Sequence, residues 1–208
     1  MDAEELLRRY AAGERNFAEA DLRNIDLSNA DLRNINLTSA NLNGANLTGT
    51  DLTRANLSYT RLGADLSYAN LSNANLEEAY LNIAEDFEGT NFSEANLKNA
   101  QMIGVWLSGI NMTGADLRGA ELHQAKLDDT ILVGADLSGA SLFQAGVQGA
   151  NLTDAKLINA DLEAAGFDGA NLTNADLTGA KYAYLQNAIL HNTTMPDGSI
   201  ASNNRAEE

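Results

Sequence analysis

Two histidines, His123 and His191, and a large supply of Asp, Ser and Thr are the residues of this chain able to do chemistry. Acid–base or nucleophilic catalysis needs such groups within hydrogen-bond reach of one another and of a pocket. His123 and His191 fall in distant repeats and cannot cooperate. Asp and Ser recur at fixed repeat positions, so their proximity is a product of architecture. No Gly-rich phosphate loop, zinc spacing or calcium-loop pattern occurs. The chain has no cysteine, which removes thiol chemistry, disulfides and most structural zinc options. No catalytic, cofactor-binding or metal-binding residue is assigned. The sequence reads as a non-enzyme that needs no cofactor.

The positioning elements are set by a period of five. A bulky apolar residue returns at Phe17, Leu22, Leu27, Leu32 and onward to Leu62, then from Phe87 to Tyr182. Two residues earlier stands a small residue, usually alanine, as at Ala40, Ala115 or Ala170. Asp or Asn precedes the leucine and Ser or Thr follows it. On a helix, residues five apart lie about 140° apart, and on a strand they alternate sides. Neither element buries such a series. The chain must therefore turn a corner in each pentad, keep the leucines on an axis and satisfy its backbone with the coils above and below.

The pattern Ala-(Asp/Asn)-Leu-(Ser/Thr)-X, as in Ala170-Asn171-Leu172-Thr173-Asn174, resembles the pentapeptide-repeat proteins over Phe17 to Leu190. The resemblance implies an all-β solenoid: a right-handed quadrilateral β-helix of stacked four-pentad coils. On that basis the chain makes about eight or nine coils and a rod about 40 Å long.

Of the 208 residues, 44% are hydrophobic and the formal net charge is −16. One repetitive domain accounts for nearly everything. No apolar run approaches a membrane span, and the N-terminus, Met-Asp-Ala-Glu-Glu, is unlike a secretory signal. The expectation is a cytoplasmic protein with no membrane contact and no direct nucleic-acid binding.

Three segments are expected: an N-terminal helical cap over 1–13, the β-helix over 14–195, and a turn with a disordered polar tail over 196–208. Asp2 and Glu5 have capping-box spacing, Arg8 and Arg9 suit a helix C-terminus, and Gly13 stops it. Leu6, Leu7 and Tyr10 form its expected apolar face. The register loses one residue between Leu62 and Leu66 and regains one between Leu81 and Phe87. Glu85 then falls at an inward position, so the chain is expected to bulge and throw it outward. Tyr182, Tyr184, Leu185 and Met195 are expected to close the last coil, Pro196-Asp197-Gly198 to turn, and Ala201 to Glu208 to be disordered.

With four pentads per coil, residues twenty apart stack. Asp116, Asp136 and Asp176 then share a column with Lys156. Two like charges at 4.8 Å in water repel by about 0.9 kcal/mol before screening, and the column reads as a solvated face. Ile103, His123 and Phe143 share another column, with His123 read as exposed. Trp106 stands where Asp or Asn is the rule, and Ile131 and Val133 flank Leu132. Two arrangements stay open for Trp106. It packs over a coil widened by Val105 and Ile110, or it joins Ile103, His123, Ile131, Val133 and Phe143 in a partner-contact patch on two adjacent faces.

Two functions follow. The first is an acidic protein-binding or structural scaffold with an unidentified protein partner and weak self-association. The second comes from the resemblance: some members of that family are acidic dimeric rods that bind DNA gyrase and counter fluoroquinolones. About 40 Å of duplex carries roughly 24 charges, so −16 is about two-thirds of that density. Those members join through an apolar C-terminal segment, and some project long loops; this sequence has neither feature. Its Asn- and Ser-rich consensus resembles cyanobacterial-type members without assigned function.

Overall fold

The computed structural model describes residues 1–82, 84 and 86–203. Helix α1, Ala3–Ala11, begins where Asp2 Oδ1 accepts the Glu5 N–H at 2.9 Å and ends before Gly13, whose φ of 96° suits glycine. Glu5 pairs with Arg8 instead of reaching back to complete a capping box. Leu6 is fully buried and joins the core of the first coil. Leu7 is exposed, which corrects the expected apolar face: only Leu6 and, partly, Tyr10 dock. Tyr10 donates its hydroxyl to the Arg33 carbonyl at 2.8 Å, tying α1 to the coil edge.

After α1 the chain forms stacked coils of four pentads. Single-residue parallel bridges join positions twenty apart and define four ladders, hence four faces. The first face runs from Asn16 through Asn36 and Asn56 to Thr194, the second from Asp21 to Lys181. The third includes Asp26, Asn46, Asp65 and Asp86, then Trp106, Lys126, Gly146 and Gly166. The fourth runs from Asp31 to Ile189. Nine bridges on the first face give a rise of about 43 Å. Each bridge is one residue wide because the chain turns immediately afterward, so among the described residues the coils contain no extended strands.

The consensus follows from this geometry. Leu37 N–H donates to Asn56 O at 2.7 Å, Ser39 N–H to Ser58 O at 2.9 Å, and Asn56 N–H to Ile35 O at 2.8 Å, binding each coil to the next. Ala40 N–H closes the turn onto Leu37 O at 2.9 Å. The second residue after most inward leucines adopts positive φ, as at Asn174 (57°) and Gly179 (70°), which favours Asn and Gly and excludes β-branched residues. The Asn or Asp before the leucine makes an Asx turn: Asn36 Oδ1 accepts the Thr38 N–H at 3.1 Å and its hydroxyl at 2.6 Å. The leucines and alanines form one continuous buried core.

The bridge spacing shortens to 19 from Asn46↔Asp65, lengthens to 21 from Asp65↔Asp86, and returns to 20 at Asn91↔Asn111. Both register slips are thus absorbed within about one coil each. Glu85, where a bulge is expected, lies outside the described residues, as does Ile83.

The C-terminal end differs from expectation. Leu185, Ala188, Leu190 and Thr193 are buried there, whereas Tyr182 and Tyr184 project into solvent and Met195 is only partly buried. A short hairpin, β1 (Thr193–Thr194) antiparallel to β2 (Ile200–Ala201), closes the stack. Residues 201–203 are ordered: Asn203 accepts the Leu190 N–H at 2.6 Å and donates Nδ2 to Ala188 O at 2.8 Å, occupying backbone groups that another coil would otherwise take. The expected polar disorder from Ala201 is corrected to this extent. Residues 204–208 lie outside the described residues.

Candidate interaction faces

Departures from the repeat are unevenly distributed around the rod. On the first and fourth ladders nearly every position is Asn or Asp; the exceptions are Lys156, Thr194, Ile131 and Ile189. The second ladder carries Arg61, Tyr80, Gln101, Glu121, Ser141 and Lys181, and the third carries Trp106, Lys126, Gly146 and Gly166. The turn column after the second ladder (Arg23, Asn43, Gly63, Asn82, Ile103, His123, Phe143, Glu163) contains no Ser or Thr, whereas its fourth-face counterpart has Thr53, Ser72, Ser93, Thr113, Thr153 and Thr173. Each side chain that replaces the Asx acceptor forgoes one hydrogen bond in its own turn, worth about 0.5–1.5 kcal/mol. The irregular side therefore gives up local stabilisation that the regular side keeps.

Trp106 is 78% exposed, so the indole does not pack over the widened coil. Beside it opens a cleft of about 220 Å³ lined by Asn82, Ala84, Asp86, Phe87, Gly104 and Val105. In this cleft the Phe87 N–H turns to Asp86 Oδ1, at 2.7 Å, instead of to the next coil. Ile103 is exposed, while His123 and Phe143 are half-buried. His123 is thus not the free surface residue expected. Its Nε2 lies 2.9 Å from a Glu121 carboxylate oxygen, and its ring stands edge-on to Phe143 with centroids 6.1 Å apart. Gly104 N–H to His123 O and Gln124 N–H to Phe143 O, both 2.8 Å, hold the column in register. Ile131 and Val133 belong to the fourth face and stand apart from this column. The six residues do not form one patch: Ile103, His123, Phe143 and Trp106 gather around one corner, and the other two lie elsewhere.

A second cluster escaped sequence reasoning. Tyr59, Arg61 and Tyr80 are all exposed and, with Ser39 and Asn41, line an open basin of about 500 Å³ on the second face and its leading corner. Tyr80 precedes Leu81 as Arg61 precedes Leu62, four pentads earlier, and the shortened coil sets their spacing at 19 rather than 20.

Several charges elsewhere are internally paired. Arg23 and Arg33 each fork the Asp two residues earlier, and these contacts hold the Asp21 and Asp31 carboxyls down to about 2. Arg118 holds Asp116 below the usual carboxylate range in the same way. Among the described residues no group of three His, Cys, Asp or Glu side chains is placed to hold a metal ion, and no helix is long and apolar enough to cross a membrane.

Comparison with known proteins fits this geometry. The family described as pentapeptide repeats matches eight segments, all but the last overlapping: 16–54, 30–62, 51–82, 63–99, 86–114, 95–134, 107–144 and 148–181. HetL, a pentapeptide repeat protein involved in heterocyst differentiation regulation in the cyanobacterium Nostoc sp. strain PCC 7120, is 36% identical. The match covers 97% of this chain and all of HetL, with a TM-score of 0.75. A pentapeptide repeat protein of the Arabidopsis thaliana thylakoid lumen is 35% identical over 44% of this chain and 62% of its own, with a TM-score of 0.38. QnrB1, a plasmid-mediated fluoroquinolone resistance protein, is 19% identical over 88% of this chain and 94% of its own, with a TM-score of 0.41. No curated protein matches the chain. With repeats matched from residue 16 to 181 and a full-length relative at 36% identity, the chain belongs to the pentapeptide-repeat family.

Proposed function

We propose that this protein is a non-enzymatic scaffold, a right-handed four-sided rod that acts in the cytoplasm by binding another protein through its second and third faces. The carrying observation is the concentration of departures on those two adjoining faces, with Trp106 exposed among them. Exposed aromatics on a rigid surface supply contact area at little entropic cost, and Trp, Tyr and Arg are the residues that dominate interface energetics. The contact residues proposed are Ile103, Trp106, His123 and Phe143; Ile131 and Val133, on the fourth face, lie outside this surface. Similarity to HetL, described as involved in a regulatory process, supports action through a partner rather than through turnover.

The test compares affinity capture by the native chain and by a variant restored to the repeat, Trp106→Asp with Phe143→Thr. The variant should fold, because both positions take consensus residues, and should lose the captured protein. Capture of the same protein at the same yield by both rejects this surface.

DNA mimicry toward gyrase is the second reading, and it draws on the net charge of −16. Against it, the first ladder carries asparagine at Asn36, Asn56, Asn75 and Asn96, and the fourth at Asn70, Asn91 and Asn111, so the acidic spacing is interrupted. A supercoiling assay with purified gyrase distinguishes the two; inhibition by the native rod at stoichiometric concentration favours the mimic.

A further inference from the structure

We propose that the basin between Tyr59 and Tyr80 is a carboxylate site, with Arg61 as its cation and an acidic peptide segment as its ligand. The site goes beyond the scaffold reading and does not depend on the Trp106 corner.

The argument begins with what Arg61 lacks. Arg23, Arg33 and Arg118 sit two residues after an Asp and fork that carboxylate within their own pentad. Arg61 instead occupies the position where that Asp would stand. Two residues on, the shortened pentad offers only Gly63, and the ladder neighbours below and above are Asn41 and Tyr80. Among the described residues Arg61 therefore has no ion pair, and its guanidinium makes no hydrogen bond within the protein. The backbone beneath it is fixed: Arg61 N–H donates to Ala40 O at 3.0 Å, and Leu62 N–H to Tyr80 O at 2.9 Å.

What surrounds it fits a planar anion. A guanidinium fork matches a carboxylate bidentately. Tyr59, at the preceding corner, and Tyr80, one coil above Arg61, are 48% and 41% exposed and line the same basin, and Ser39 and Asn41 add neutral polar groups. No acidic side chain lines the basin. One cation balances one negative charge, whereas a phosphate monoester would bring a second charge to a rod already at −16. That excess favours carboxylate over phosphate. The net charge repels an acidic ligand at a distance, but screening over about 8 Å at physiological ionic strength leaves the local contact in control. Binding is accordingly modest and short-ranged.

Arg54 supplies an internal control. It is also exposed and without an ion pair among the described residues, but it lies outside the basin. The full ¹⁵N-labelled chain is titrated with acetyl-Gln-Glu-Gln-amide, which carries a single carboxylate, with acetyl-Gln-Gln-Gln-amide and with sodium phosphate, following the arginine Nε–Hε signals and the Gly63 amide. The expected result is a saturable shift at Arg61 and Gly63 with the glutamate peptide only, and a small non-saturating shift at Arg54. In Arg61→Gln the Gly63 shift disappears while the rest of the amide spectrum is unchanged; in Tyr80→Asn it weakens. Equal shifts at Arg54 and Arg61 overturn the site, since diffuse attraction would then suffice. So does an equal response to the glutamine peptide, saturation by phosphate alone, or a Gly63 shift that survives Arg61→Gln.

Discussion

Thr130 donates its Oγ1 hydroxyl to the main-chain carbonyl of Leu107, one coil earlier, at 2.7 Å. Thr50 does the same to Leu27 at 2.8 Å, Thr60 to Leu37 at 3.0 Å, Thr90 to Leu66 at 2.8 Å and Thr193 to Leu172 at 2.7 Å. Each occupies the small inward position usually held by alanine, and each is buried. The coil supplies a carbonyl at the one place a threonine hydroxyl can reach, so an otherwise costly buried polar group becomes a tie between coils. Thr130→Val keeps the shape and loses the bond, and should destabilise by about 0.5–1.5 kcal/mol in urea unfolding. Unchanged stability would mean the hydroxyl contributes nothing to coil stacking.

Removal of an axial leucine should cost more and spread further. Leu137 is fully buried, and its N–H donates to Lys156 O at 2.7 Å. Leu137→Ala should cost about 2–5 kcal/mol. Because each coil is held only by its neighbours, hydrogen exchange should accelerate at Leu117 and Leu157 as well. Acceleration confined to residues around 137 would contradict stacking as the source of stability.

Trp106→Asp should make the rod more stable. Asp26 on the same ladder accepts the Ser28 N–H at 3.0 Å, and an aspartate at 106 has Ser108 in the equivalent place. The gain expected is about 0.5–1.5 kcal/mol, read as a higher melting temperature. This is the trade expected where a residue is kept for contact rather than for folding. A lower melting temperature would show that the indole supports the coil after all.

Acid titration tests the arginine–aspartate forks. Arg33 donates Nε and Nη2 to Asp31 at 2.8 and 2.5 Å, and its backbone N–H adds a weaker bond, holding the Asp31 carboxyl at about 2. The folded value lies below the unfolded value of about 3.9. The stabilisation is therefore complete above about pH 4 and lost as pH falls toward 2. In Arg33→Gln the Asp31 carboxyl signal in a ¹³C NMR titration should move up toward the ordinary range. A midpoint unmoved by that substitution would assign the depression to the Asx turn instead.

The axis of this fold is legible in sequence because one repeat position does one job: a leucine every five residues fixes the coil, and the slips at Leu62–Leu66 and Leu81–Phe87 appear as bridge spacings of 19 and 21. At the ends helix α1 is legible through Asp2 and Gly13, but nothing periodic marks Asn203 as the cap of the last coil or Leu7 as exposed. Tyr182 and Tyr184 look like closing residues by type, but the hairpin at Thr193–Ala201 takes that role. The Trp106 corner is half legible. Its residue types stand out against the repeat, whereas the half-burial of His123 depends on Glu121 and Phe143. The basin at Tyr59, Arg61 and Tyr80 is hidden from a count of twenty residues, because the one-residue slip sets Arg61 and Tyr80 nineteen apart.

A photo-crosslinking amino acid placed in turn at His123 and at Thr173 gives the most direct test of the proposal that function resides on the second and third faces. Both occupy the residue after an inward leucine, one in the second-face turn column and the other in the fourth. Irradiation in source-cell extract should yield a discrete protein adduct from position 123 and none from position 173. The same adduct from both, or an adduct from 173 alone, would contradict a two-sided rod with one binding side.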